Sequence, residues 1–83
     1  MAYPMYSRVA LTRDVSKHHL RCGDIATIVE THPGGQEQET GYSLEVFNAV
    51  GETIAVITVP ESEIEPLAPN EVLHVRRLDQ IQV

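Results

Sequence analysis

"YSLEVFNAVGETIAVITV", residues 42–59, decides the fold. Two alternating apolar runs flank Asn48–Gly51, a tight turn with Asn and Gly at positions that tolerate φ > 0. Alternation with a period of two marks a strand with one buried face, so the stretch reads as a β-hairpin. Setting Phe47 opposite Glu52 puts Tyr42, Leu44, Val46, Ala55, Ile57 and Val59 on one face, which should line the core. The other face carries Ser43, Glu45, Phe47, Glu52, Ile54, Val56 and Thr58. It is half apolar, with Phe47, Ile54 and Val56 adjacent. A sheet with one wet face normally alternates more cleanly. Such a patch marks an interface, or a surface covered by another part of the chain.

Outward from the hairpin, the remaining signals are also those of an all-β domain. "SRVAL" (7–11) alternates, and "DIATIVET" (24–31) is β-branched and bounded by Gly23 and "HPGG" (32–35). Between them, "TRDVSKHHLRCG" (12–23) is a long polar connection, with Val15 and Leu20 as anchors onto the core. The polar, glycine-containing stretch 32–41 reads as a mobile hairpin loop. "ESE" (61–63) suits one 3₁₀ turn, "IEPL" (64–67) a short strand, and "EVLHVRRL" (71–78) a further extended strand. Residues 1–6 and 79–83 are expected to fray. Five short strands, a long first loop and a 3₁₀ turn before the fifth describe a single SH3-like β-barrel domain over residues 1–83, with an additional C-terminal extended segment.

Several residue groups together carry a resemblance: "GDIATIVE", "GYSLEVF" and "AVITVPESEIEPL", preceded by "VALTRD". The chain resembles an uncharacterised bacterial family, common in cyanobacteria, known as domain of unknown function 4926. The resemblance covers about residues 8 to 67 and extends toward the tail. One departure is Ala26, where the family tends to have Gly. The motifs are structural, so the resemblance implies a fold and no chemistry. It also implies a companion protein encoded by a neighbouring gene, in an antitoxin-like arrangement.

Bulk properties narrow the function. With 83 residues, a domain buries only about 60% of its unfolded surface and has little room for a catalytic cleft. One cysteine excludes an internal disulfide. "MAYPMYSR" has no apolar h-region, and no apolar run approaches the roughly 20 residues that span a bilayer. The expected location is the cytoplasm. The six bases lie at the ends, as Arg8, Arg13, Lys17, Arg21, Arg76 and Arg77, while residues 22–75 hold ten acids and no Lys or Arg. A body so charged repels nucleic acid. With Tyr3, Tyr6, Tyr42 and Phe47 as the only aromatics, there is no stacking platform for bases.

Individual candidate sites are weaker still. His19 and Cys22 have an H-x₂-C spacing, with His18, His32 and His74 as further nitrogen donors, but structural zinc needs four ligands and no second cysteine exists. Arg21 and the histidines supply charge near Cys22, but nothing suggests an oxyanion hole or a pocket for a reactive thiol. "ESEIE" (61–65) lacks the oxygen spacing and glycine of a calcium loop. The expectation is therefore a non-enzymatic module with no catalytic residue, no metal and no cofactor. It would bind protein, either a second copy or a companion, through Phe47, Ile54, Val56, Leu73 and Val75. The alternative class is a nucleic-acid or ribosome-associated small β-barrel.

Overall fold

The computed structural model describes residues 3–78. Five antiparallel strands form one sheet: β1 (Arg8–Leu11), β2 (Ile25–His32), β3 (Gly41–Phe47), β4 (Thr53–Pro60) and β5 (Ile64–Pro66). Single 3₁₀ turns lie at Ser16–His18 and Glu61–Glu63. The spatial order is β4-β3-β2-β1-β5, a four-strand meander with β5 returning to the outer side of β1. The sequence places all five strands and the 3₁₀ turn before the fifth.

The core collects the inward side chains of every strand: Val9, Leu11, Ala26, Ile28, Tyr42, Leu44, Val46, Ile57, Val59 and Ile64. Leu20 joins them at 2% exposure, with Val15 packed alongside. The 12–23 connection is therefore pinned to the core at both anchors, and Val15 and Leu20 also form an isolated bridge. Ala26, the second residue of β2, lies opposite Val9 and is buried in the core.

Several expectations are corrected. The first is barrel closure. β4 and β5 are the two edges of the sheet, and no ladder joins them among the described residues. The physical reason is length: β5 has three residues and is reached from β4 through a three-residue turn, too short to run back along β4. The space beside β4 is bordered by the 13–18 loop.

Hairpin register is the second correction. Phe47 pairs with Thr53, not Glu52, and from Val46↔Ala55 the ladder runs to Gly41↔Pro60. Asn48 explains the slide. Its backbone N–H donates to Glu52 O at 2.8 Å, and its Oδ1 accepts from the N–H groups of Val50 and Glu52. This widens the turn, and the ladder then shifts between Val46 and Phe47, leaving Ile54 as the extra residue of a bulge. From Val46 onward the displacement is two residues, so every side chain keeps its face.

Third, residues 71–77 form no strand. A strand needs a partner edge, and the nearest one, β5, ends at Pro66. The chain turns at Ala68–Glu71, where Glu71 N–H donates to Ala68 O. It then runs unpaired to Arg76, which binds Asp24 and the His19 carbonyl. Residues 79–83, expected to fray, lie outside the described residues.

Last, the segment before β1 is built into the fold. The Tyr3 ring packs edge-on against Tyr42 with centroids 5.5 Å apart, and Tyr6 N–H donates to Ile28 O. Fraying was expected for 1–6, of which 1 and 2 lie outside the described residues. The 32–41 loop is likewise tethered: the Glu39 carboxylate accepts from the Ser62 N–H and hydroxyl at 2.8 and 3.0 Å.

Candidate interaction surface

The outer face of β2–β3–β4 divides into two halves. Near the open ends of β2 and β3 it is polar. His32 Nε2 lies 2.8 Å from Ser43 Oγ, which lies 3.1 Å from Thr58 Oγ1. This chain places Ser43 at only 8% exposure without leaving its hydroxyl unpartnered. The constellation has histidine, serine and a carboxylate, yet not the geometry of a nucleophile. Glu30 approaches the same His32 nitrogen, Nε2, at 3.9 Å. A triad acid instead holds the opposite ring nitrogen, so that the free one can take the serine proton.

Toward the turn, the same face becomes apolar. Phe47 is 41% exposed, Ile54 39% and Val56 59%. Strand parity sets Val56 opposite Glu45 on this face, and the register shift between Val46 and Phe47 leaves Ile54 unpaired next to the Phe47↔Thr53 pair. Glu45, opposite Val56, accepts a hydrogen bond from Thr53 Oγ1 and borders the patch. Large apolar groups left in water are costly, at about 25 cal/mol per Å², so three neighbours on one face form a surface suited to burial.

The structure brings Phe47, Ile54 and Val56 together and keeps Leu73 and Val75 apart from them in the unpaired tail. Leu73 is 54% and Val75 80% exposed. Described residues of the tail do not cover the patch. Arg76 instead fixes the tail beside Asp24, and the hydrogen bonds that its guanidinium donates to the Asp24 carboxylate hold its pKa above the ordinary value.

An open groove follows β4, bounded by Val56–Val59 on one side and by Arg13, Asp14, Val15, Lys17 and His18 on the other, with Glu63 at its end. Arg13 is paired with Glu63 at 3.2 Å. Arg76 is likewise held by Asp24, so both of these bases are engaged by acids of the same chain. His18, His19 and Cys22 lie on the loop before β2, where Asp14 and Asp24 accept backbone N–H groups of Cys22 and Arg21. The loop leads into β2 through the Arg21–Asp24 turn. The described residues contain no group of three or more His, Cys, Asp or Glu placed to hold a metal, and no helix long and apolar enough to cross a membrane.

A protein-family model described as "Domain of unknown function (DUF4926)" matches residues 5–66. The chain belongs to that family. The match begins just before β1 and ends at Pro66, the last residue of β5, so the family's common part is the five-stranded sheet. The 67–78 tail lies beyond it, contrary to the expectation that the likeness extends there. No curated protein and no solved structure matches the chain.

Proposed function

We propose that this DUF4926 chain is a non-catalytic protein-interaction module that docks a second copy or a companion through the outer face of β3–β4. One observation carries the reading. Phe47, Ile54 and Val56 remain exposed beside an unpaired edge strand after every described segment has found its place. We read the connectivity as that of an SH3-like barrel opened between β4 and β5, because β1 lies between β2 and β5 and a 3₁₀ turn leads into β5. The companion, in an antitoxin-like pairing with a neighbouring gene product, follows from the family resemblance, and a cytoplasmic setting belongs to the same reading.

Calorimetry tests the proposal in two arms. Dilution of the chain reads self-association, and titration with the neighbouring gene product reads companion binding. The expected result is heat in at least one arm, lost in Val56→Glu. Heat that is absent from both arms, or unchanged by the substitution, contradicts it.

A further inference from the structure

We infer that β4 is the pairing edge of a two-fold symmetric dimer, in which β4 of one chain adds antiparallel to β4 of a second copy. This rests on the interaction-surface reading, since Val56 belongs to both the patch and the edge.

The phase of the ladder shows which backbone groups are available. Glu61 N–H donates to Thr40 O at 2.9 Å, making these two a hydrogen-bonded pair in continuation of β3–β4. Hydrogen-bonded pairs alternate along an antiparallel ladder. Ala55, Ile57 and Val59 therefore turn their N–H and C=O toward β3. Val56 and Thr58 turn theirs outward, where no strand meets them among the described residues.

Charge selects the second copy as occupant. Residues 53–60 are the longest uncharged run in a chain of net charge −6. Two copies repel over most of their surface and least along this strand. β4 also lacks the usual defences of an edge, since no Lys or inward charge interrupts it. What protection exists sits at its ends, in the bulge at Ile54 and in Pro60.

Those ends fix the register. Pairing Val56 with Thr58 of the second copy, and Thr58 with its Val56, uses only regular outward-facing residues. Each pair exchanges both hydrogen bonds. Sliding one way engages Pro60, which has no N–H, and sliding the other way engages the bulge. In this register the residues that pair about the two-fold axis, Val56 to Thr58, are all uncharged. The dimer places Val56 of both copies on one outer face and widens the apolar patch.

The test uses the full chain, with light scattering for mass and amide exchange by nuclear magnetic resonance. We expect twice the 9.2 kDa chain mass. The Val56 and Thr58 amides should exchange about tenfold or more slowly in the dimer than after dilution to monomer, because pairing protects them. Thr58→Pro removes an outward N–H without touching the β3 ladder and should give a folded monomer. If that variant does not fold, exchange in the unaltered chain decides alone. A wild type that stays monomeric at all concentrations overturns the inference and leaves a companion as the partner. A dimer whose Val56 and Thr58 amides exchange as they do in the monomer also overturns it, with the outer-face reading still standing.

Discussion

Val56 stands opposite Glu45 across the β3–β4 ladder, on the outer face, while its neighbour Ile57 stands opposite Leu44 in the core. One residue of displacement along β4 thus separates a side chain at 59% exposure from one at 6%. Substitutions at the two kinds of position should behave differently. Leu44→Ala should lose about 2–5 kcal/mol, the cost of emptying a fully buried site. Val56→Glu should leave the melting temperature of the dilute monomer within a few degrees of the parent. Thermal unfolding followed by circular dichroism checks both, and a collapse of Val56→Glu would place Val56 in the core.

Tyr3 is worth more than its position near the start of the chain suggests. Its ring meets Tyr42 at 84°, and its N–H donates to the Tyr42 hydroxyl at 3.2 Å. Tyr3→Ala should destabilise by about 1–3 kcal/mol, from the lost aromatic pair and lost burial. Denaturant unfolding measures this, with Met5→Ala as an exposed control that changes little.

Glu39 ties the long hairpin loop to the 3₁₀ turn before β5. Glu39→Ala should cost about 1 kcal/mol, since it removes two hydrogen bonds at an exposed site. Replacing residues 36–40 with a shorter Gly-Ser link should cost at least as much, although loop-closure entropy alone changes little with length. Gly34 is a further constraint. A Cβ there would collide with the Gln38 carbonyl oxygen, so Gly34→Ala should distort the loop and lower the melting temperature.

Arg76 is the tail's anchor. Arg76→Ala should free residues 67–78 for proteolysis while the five-stranded sheet keeps its melting temperature within a few degrees. Asp24→Ala should do more damage, because Asp24 also accepts the Arg21 N–H at 2.8 Å in the turn that enters β2. Limited proteolysis with mass spectrometry separates the two effects.

The strands were legible because their side-chain alternation is local. Tyr42, Leu44, Val46, Ile57 and Val59 reached the core as expected, since an even shift of register cannot change a residue's face. What the sequence concealed depends on contacts between distant segments. The slide to Phe47↔Thr53 turns on the Asn48 side chain capping its own turn, which alternation does not encode. The His32–Ser43–Thr58 chain requires the β2 register beyond the irregularity between Ile28 and Glu30. Arg76 and Asp24 are 52 positions apart, and nothing local pairs them. Phe47, Ile54 and Val56 were readable as a patch because the same alternation that builds the core leaves them outside it.

Solution mass tests the central claim most directly. The unaltered chain and Val56→Glu would be measured by sedimentation equilibrium, each alone and each with the neighbouring gene product, with both chains shown to be folded. The account predicts that the unaltered chain exceeds 9.2 kDa in at least one of these settings and that Val56→Glu returns it to the single-chain mass. Identical masses for the two chains in every setting would contradict it.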